Sequence, residues 1–135
     1  MQNDPLSGLR VLVVEDHDDS RYVIVKTLEA AGAAVSDVPG ADLALRVIDA
    51  FAPDVLVSDV NMPKHDGLWL IRELRCRRQY QFLPAVAVTA RVTTADRRVI
   101  LDAGFNAHVP KPVDFDELIA VIRHLVAGSP SRSGC

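Results

Sequence analysis

Short apolar runs alternate along the chain with longer segments in which apolar residues recur every three or four positions. The runs lie at 10–14, 34–38, 55–59, 85–88 and 107–109. Runs this short that are apolar almost throughout are typical of strands buried on both faces of a parallel sheet. The segments between them have helical spacing, as Leu118, Ile122 and Leu125 illustrate in the last segment.

Strand and helix therefore alternate five times, without an internal repeat. This order predicts an α/β fold, because amphipathic helices between buried strands must cover both faces of a parallel sheet. Right-handed crossovers make it a doubly wound (βα)5 three-layer sandwich. The chain has 135 residues, which fits one domain. We expect residues 8–127 to form it, with the polar segment 1–7 and the Gly/Ser/Pro-rich segment 128–135 as flexible tails.

Local signals place the helix ends and faces. Asp18, Asp19 and Ser20 are N-cap candidates for the first helix, and Gly32 follows its end. In the last helix the capping-box spacing is provided by Asp114 and Glu117. The third helix is predicted to bury Leu68, Ile71 and Leu74 and to leave a solvated face of arginines: Arg72, Arg75, Arg77 and Arg78.

Composition excludes several classes of function. The chain is 49% hydrophobic and 24% charged, with a net charge of −3, so nothing favours nucleic-acid binding. Its apolar runs are far shorter than the roughly 20 residues that span a bilayer, and segment 1–5 is unlike a signal peptide. The two cysteines, Cys76 and Cys135, form neither metal spacing nor a disulfide framework. We therefore predict a cytoplasmic protein that binds neither nucleic acid nor membrane.

Four of the five strands end in a residue that can bind a phosphate or a metal. Glu15 and Asp16 follow the first strand, Asp59 ends the third, Thr89 ends the fourth and Lys111 follows the fifth. Strand ends in a parallel sheet share one edge, where ligands bind in open α/β folds. These side chains can therefore face one pocket. On its own the pair Glu15-Asp16 is more typical of residues that cap the start of a helix. The additional acid Asp59 at the same edge favours a binding site instead.

Three carboxylates in one pocket call for a cation. Two of them about 4 Å apart repel by roughly 4 kcal/mol at an effective dielectric of about 20. An oxygen-ligated Mg²⁺ suits such a site. Lys111 adds a fixed positive charge and Thr89 a hydroxyl, and together they could stabilise a phosphoryl group in transfer. Asp59 is then the natural nucleophile, forming an aspartyl-phosphate. His17 adjoins the acids, but we predict a surface histidine, the commoner case.

The chain resembles the receiver domains of two-component response regulators over roughly residues 8 to 127. The motifs that carry the resemblance stand in order, each at a predicted strand end: Val11-Leu12-Val13-Val14-Glu15-Asp16, Ser58-Asp59-Val60-Asn61-Met62-Pro63 with Asp66-Gly67, Val88-Thr89-Ala90, and Val109-Pro110-Lys111-Pro112. One such motif is weak evidence, whereas four in the right order are specific. The resemblance implies a flavodoxin-like fold with strand order 2-1-3-4-5.

The resemblance also implies roles in a phosphorelay. Asp59 would accept a phosphoryl group from a histidine kinase or its phosphotransfer domain, and Thr89 and Lys111 would hold the phosphoryl oxygens. The implied Mg²⁺ ligands are Asp16, Asp59 and the backbone carbonyl of Asn61, with Glu15 acting through water. The peptide bond between Lys111 and Pro112 would be cis.

A switch is implied as well. Thr89 would move toward the phosphoryl group, and a side chain on strand 5 would turn inward and remodel the surface of helix 4, strand 5 and helix 5 for a downstream protein. The commonest residue at that strand position is Tyr or Phe, but this chain has His108. Because imidazole is smaller and can gain charge near neutral pH, we expect a weaker or pH-sensitive switch.

Alternative functions remain open at this stage. A phosphatase of the haloacid dehalogenase type also uses a strand-end Asp and a Lys, but it needs an acid where this chain has Asn61. A pseudo-receiver, which would bind partners without phosphorylation, is the other. Within the receiver interpretation, the chain is a stand-alone regulator or part of a hybrid histidine kinase, expected to be a monomer or a weak dimer.

Overall fold

The computed structural model describes residues 4–90 and 93–128. Its strands are β1 Arg10–Val14, β2 Ala34–Val38, β3 Val55–Asp59, β4 Ala85–Thr89 and β5 Ala107–Pro110. Its helices are α1 Asp18–Ala30, α2 Ala41–Phe51, α3 Gly67–Arg75, α4 Thr94–Ala103 and α5 Phe115–Ala127, with a 3₁₀ turn at Arg78–Tyr80. The predicted alternation of strand and helix is confirmed. Within the described ranges, no helix is both long and apolar enough to cross a bilayer.

The five strands form one parallel sheet in the order β2-β1-β3-β4-β5, which confirms the fold class and the strand order. Val14 pairs with Ser58, Asp59 with Val88, and Thr89 with Pro110. The last residues of β1, β3, β4 and β5 therefore lie level along one edge. The chain order reverses between β1 and β3, so this edge contains the crevice in which ligands bind in such sheets.

Each face of the sheet carries its own hydrophobic cluster. Alternate residues of a strand point to opposite faces, so Leu12 belongs to one cluster and Val13 to the other. Residues of α2, α3 and α4 pack in the first cluster, for example Ile48. The second cluster includes Leu28 of α1 and Ile122 of α5. The predicted three-layer sandwich is thus what the chain forms.

The segment before β1 differs from the flexible tail that its polarity suggested. Leu6 is fully buried in the cluster with α1 and α5, and its N–H donates to the carbonyl of Ala31 at 2.8 Å. A Cβ on Gly32 would lie 2.7 Å from the Cβ of Asp4, so the segment packs closely on the end of α1. Burial of the apolar side chain of Leu6 in the core is enough to hold this otherwise polar segment in place. The rest of the predicted tails, 1–3 and 129–135, lies outside the described residues.

The caps were predicted with mixed success. Asp114 caps α5 by accepting from the N–H of Glu117 at 3.2 Å, as its spacing indicated. Gly32 has a positive φ of 103° just after α1, as expected of a residue at that position. The N-cap of α1 is instead His17, which makes no side-chain capping bond. Asp18 lies in the first turn, where it pairs with Arg21 at 2.7 Å.

The prediction for the arginines of α3 is wrong for Arg75. Its guanidinium donates to the carbonyl of Gly104 at 2.8 and 3.0 Å, to the carbonyl of Tyr80 at 2.8 Å and to Asn106 Oδ1 at 3.0 Å. It thereby joins the end of α3 to the 3₁₀ turn and to the loop before β5. The buried residues of α3 include Leu70 together with Ile71 and Leu74, while Leu68 is only partly buried.

Candidate functional site

The backbone after β3 turns sharply and holds Asp59 at the edge of the sheet. The N–H of Gly67 donates to the carbonyl of Val60 at 2.8 Å. A Cβ on Gly67 would lie 2.2 Å from the carbonyl oxygen of Asp59, so only glycine allows α3 to begin this close to the strand. Asp66 then caps α3 by accepting from the N–H of Trp69 at 2.8 Å.

Two buried carboxylates share one amine at this edge. Glu15 is 1% exposed and Asp59 is 4% exposed. Lys111 Nζ lies 3.1 Å from Glu15 Oε1 and 3.3 Å from Asp59 Oδ2. The N–H of Lys111 donates to the carbonyl of Thr89 at 2.9 Å, and the peptide bond from Lys111 to Pro112 is cis, as the resemblance implied. The side chain of Lys111 therefore crosses from β5 to the ends of β1 and β3.

The two buried carboxylates differ in acidity, because the pKa of Glu15 is lowered and that of Asp59 is raised. Burial and the neighbouring charge of Glu15 raise the pKa of Asp59 to about 6, although Lys111 opposes them. Burial alone would raise the pKa of Glu15, but hydrogen bonds with the His17 N–H, Asp59 and Lys111 outweigh it and lower that pKa. Burial disfavours the ammonium of Lys111, yet contact with both acids raises its pKa. One lysine charge does not neutralise the two acids it contacts.

The remaining predicted acid completes a group of oxygen donors. Asp16 Oδ1 is buried and accepts no hydrogen bond from any described residue. Ligand atoms of Glu15, Asp16, His17 and Asp59 all lie within 4.8 Å of one another. The N–H of Asn61 donates to Asp59 Oδ1 at 3.2 Å, which brings the chain after β3 against the carboxylate. Clustered carboxylates, one of them with an unused buried oxygen, are the donor set that Mg²⁺ prefers, so these residues fit the ion.

The two residues assigned to a switch lie on neighbouring strands. Thr89 is fully buried at the end of β4. Its carbonyl accepts from Lys111, so Thr89 and Lys111 are adjacent at the edge of the sheet. His108 is partly buried on β5 and pairs with Ala87 of β4. The structure thus brings Glu15, Asp16, Asp59, Thr89 and Lys111 to one edge and leaves His108 further back along its strand.

Two histidines of the loop regions make contacts that were not predicted from the sequence. His17 is a surface residue, with a side chain 70% exposed, but its Nδ1 lies 3.4 Å from both Glu15 Oε2 and Asp16 Oδ1. Its position beside the acids was the only signal. On the loop after β3, the ring of His65 stacks on that of Trp69 with centroids 3.8 Å apart, and His65 Nε2 lies 3.8 Å from Asp42 Oδ1. No pattern in the sequence indicated this stack.

The family model described as response regulator receiver domain matches residues 11–123. Among solved structures, a response regulator from Chloroflexus aurantiacus is 28% identical with a TM-score of 0.84 and covers 88% of this chain and 98% of its own. The receiver domain of a sensor histidine kinase from Pseudomonas aeruginosa is 29% identical, with a TM-score of 0.83, and covers 90% of this chain and all of its own. That domain was solved with a magnesium ion coordinated in its active-site cleft.

The chain covers very different shares of the curated relatives that it matches. An uncharacterised 14.6 kDa protein of Leptolyngbya boryana is 39% identical over 125 residues, which cover 93% of this chain and 95% of that protein. Hybrid signal transduction histidine kinase D of Dictyostelium discoideum is 33% identical over 134 residues, but the chain spans only 8% of its length. The transcriptional regulatory protein TcrA of Mycobacterium tuberculosis is 34% identical, and the chain spans about half of it, 49%.

Proposed function

The chain belongs to the response regulator receiver domain family, and from this premise we propose that Asp59 is the residue that accepts the phosphoryl group. As a member it is a signalling switch of a two-component phosphorelay, and it interacts with a histidine kinase or a phosphotransfer protein. The observation that supports Asp59 is its place at the end of β3, buried, with Lys111 Nζ at 3.3 Å. In the proposed transfer, an oxygen of Asp59 bonds to phosphorus while the bond from phosphorus to the donor imidazole breaks.

The residues around Asp59 have separate parts in this transfer. Asp59 attacks as the carboxylate, and positive charge beside it opposes the effects that raise its pKa and so favours that form. Lys111 supplies one such charge and is placed to bind a phosphoryl oxygen. Thr89, adjacent to Lys111, is proposed to donate its hydroxyl to another oxygen. Removal of the phosphoryl group by water at the same site is proposed as the reset.

A divalent cation belongs in the same proposal. Asp16 and Asp59 would hold Mg²⁺ directly, together with the backbone carbonyl of Asn61, while Glu15 would act through water. The unused buried oxygen of Asp16 supports this assignment. Bound Mg²⁺ supplies positive charge against the carboxylates and the phosphoryl oxygens.

The output of the switch is proposed to follow from Thr89 and His108. Movement of Thr89 toward a phosphoryl group would open space on β4 beside β5, into which His108 could turn. Its strand partner is Ala87, which has a small side chain. The surface formed by α4, β5 and α5 would change and bind the downstream protein. The downstream partner, the monomeric or weakly dimeric state, the absence of nucleic-acid binding and the cytoplasmic location stay predictions.

The comparisons favour neither alternative function. A haloacid dehalogenase phosphatase needs an acid two residues after its nucleophile, and the carboxamide of Asn61 cannot act as a general acid or base there. A pseudo-receiver would not need the arrangement of Glu15, Asp59 and Lys111 around one buried centre. Whether the chain acts alone or within a hybrid histidine kinase stays open in this proposal.

The proposal is tested by intact mass spectrometry after incubation with acetyl phosphate and Mg²⁺. We expect the mass of one added phosphoryl group in the wild type, none in Asp59→Asn, and an unchanged gain in the control Asp102→Asn, which alters an exposed acid on α4. Phosphorylation that persists in Asp59→Asn would assign the acceptor elsewhere. A wild type that gains no mass from acetyl phosphate or from a phosphorylated kinase would support the pseudo-receiver.

A further inference from the structure

The loop between β1 and α1 places an imidazole beside the acidic pocket. His17 Nδ1 lies 3.4 Å from Glu15 Oε2 and 3.4 Å from Asp16 Oδ1. The backbone also holds the residue there, because its N–H lies 3.2 Å from Glu15 Oε2. With 70% of its side chain exposed, the ring stands at the mouth of the pocket, where a cation from solution can reach it.

The distance from His17 to Asp16 fits two neighbouring ligands of one ion. Ligands about 2.1 Å from an octahedral cation lie about 3 Å apart at adjacent corners and about 4.2 Å apart across the ion. The separation of 3.4 Å between His17 Nδ1 and Oδ1 of Asp16, the neighbouring acid that is proposed as a direct ligand, is close to the adjacent value. This Oδ1 of Asp16 is buried and accepts no hydrogen bond from a described residue, so it is available to a ligand on the side that His17 approaches.

We propose that His17 Nδ1 is a further ligand of the cation bound in this pocket, and that it shifts the preference of the site toward Co²⁺ and Ni²⁺. This inference rests on the proposed function, whose cation ligands are all oxygens. Imidazole binds late first-row metals well, whereas Mg²⁺ prefers carboxylate, carbonyl and water. One added nitrogen donor therefore strengthens binding of Co²⁺ and Ni²⁺ far more than that of Mg²⁺.

The competing interpretation is that His17 is a charged counter-ion of the two acids. A protonated ring at 3.4 Å would stabilise their negative charge and would compete with every dication for them. The two interpretations predict opposite effects of removing the ring. Loss of a ligand weakens Co²⁺ selectively, whereas loss of a counter-ion strengthens the binding of all dications by a similar factor.

Calorimetric titration of the full chain, first freed of metal, separates these outcomes. For His17→Ala and His17→Gln we expect Co²⁺ affinity to fall about tenfold or more, the loss typical of deleting one partner in a metal site, and Mg²⁺ affinity to change less than about twofold. The matched control is His65→Gln, because His65 is partly exposed and lies outside the four-residue cluster. A ratio of Co²⁺ to Mg²⁺ affinity that stays constant in both His17 variants would overturn the inference.

Nitrogen NMR gives a readout that does not depend on affinity. Adding diamagnetic Zn²⁺ to protein labelled with ¹⁵N at histidine should shift the Nδ1 resonance of His17 and leave that of His65 in place. A His17 resonance that does not move while Zn²⁺ binds would also overturn the inference, although the proposed function would stand. A wild-type protein that binds neither Mg²⁺ nor Co²⁺ would instead contradict the proposed function itself.

Discussion

At the scale of the residue, the surroundings of Asp59 destabilise its ionised form. This residue is 4% exposed and shares its surroundings with Glu15, and both burial and that charge raise its pKa to about 6 from an ordinary value near 3.8. Lys111 neutralises only part of the combined charge. An additional cation would stabilise the ionised form of Asp59. The arrangement that destabilises the metal-free protein therefore favours the binding of a metal, or of a phosphoryl group together with its metal.

We predict that Asp59→Asn stabilises the metal-free protein, and that the gain depends on pH. Because the pKa of Asp59 is higher in the folded state, the stability that its protonation provides is present below about pH 4 and is lost as the pH rises through 6. The shift of about two pKa units corresponds to at most about 3 kcal/mol. Chemical denaturation in the presence of a chelator should therefore show a higher free energy of unfolding for the variant at pH 7.5 and almost none of this gain at pH 4.

The matched control is Asp102→Asn, whose carboxylate is exposed on α4 and which should change little at either pH. If Asp59→Asn matched the wild type at pH 7.5, the repulsion between Asp59 and Glu15 would be too weak to affect folding.

At the scale of the element, the start of α3 depends on the absence of a side chain at residue 67. We predict that Gly67→Ala lowers the free energy of unfolding by about 3 kcal/mol, because the new Cβ would overlap the backbone at the end of β3. The intrinsic helix preference of alanine, about 1 kcal/mol over glycine, is too small to compensate. Phosphorylation by acetyl phosphate should also slow, since relieving the overlap moves Asp59.

Gly128→Ala serves as the control for Gly67→Ala. A Cβ at residue 128 would make an ordinary contact of 3.5 Å with the carbonyl of His124, so stability should change by less than about 0.5 kcal/mol. Equal effects of the two substitutions would show that the helix start tolerates a methyl group.

Arg75 joins three elements at the other end of α3. Its guanidinium binds carbonyl oxygens of Gly104 and Tyr80 and the side chain of Asn106, whose Oδ1 also accepts from the N–H of Ala85 at 2.8 Å. Burial of this cation lowers the pKa of Arg75. We predict that Arg75→Met costs about 3 kcal/mol, because the partly buried carbonyls of Gly104 and Tyr80 and the side chain of Asn106 lose a charged donor.

Arg75→Lys should recover only part of that loss, since an ammonium cannot match the planar fork of the guanidinium. Arg72→Met, an exposed arginine on the same helix, should stay within about 0.5 kcal/mol of the wild type in the same denaturation experiment. A similar cost for Arg72→Met and Arg75→Met would mean that the guanidinium bonds contribute no net stability.

At the scale of the whole molecule, the sequence predicted the architecture and the position of the site better than the contacts within it. The buried strands follow from short runs that are apolar almost throughout, and their common direction follows from the alternation of strand and helix, which is why Asp59 and Lys111 could be expected at one edge. Periodicity indicates which side of a helix is buried but not what an individual side chain meets. The partners of Arg75 and the burial of Leu6 depend on segments distant in sequence, and could not be predicted. The position of His17 next to the acids was visible in the sequence, but the direction of its ring depends on the geometry of the loop.

His108 is the residue proposed to couple the Asp59 site to the surface of α4, β5 and α5. Imidazole changes charge between pH 5 and 8, whereas a phenol does not. We therefore expect saturating beryllofluoride and Mg²⁺ to change hydrogen exchange in α4 and β5 to different extents at pH 6 and pH 8 in the wild type. His108→Tyr should respond equally at both, and His124→Gln, an exposed histidine of α5, should behave as the wild type. A wild type without pH dependence would remove His108 from the switch.

The stack of His65 on Trp69 determines what an optical measurement on this protein would report. Trp69 is the only tryptophan of the chain, so its emission reports on the first turn of α3 and on the loop residue His65 stacked against it, rather than on the surface of α4, β5 and α5. The two rings lie 3.8 Å apart, so a movement of the loop between Asp59 and α3 that separates them should change the emission of Trp69. A fluorescence titration of this protein therefore follows the phosphoacceptor loop through the position of His65, and does not report directly on the output surface.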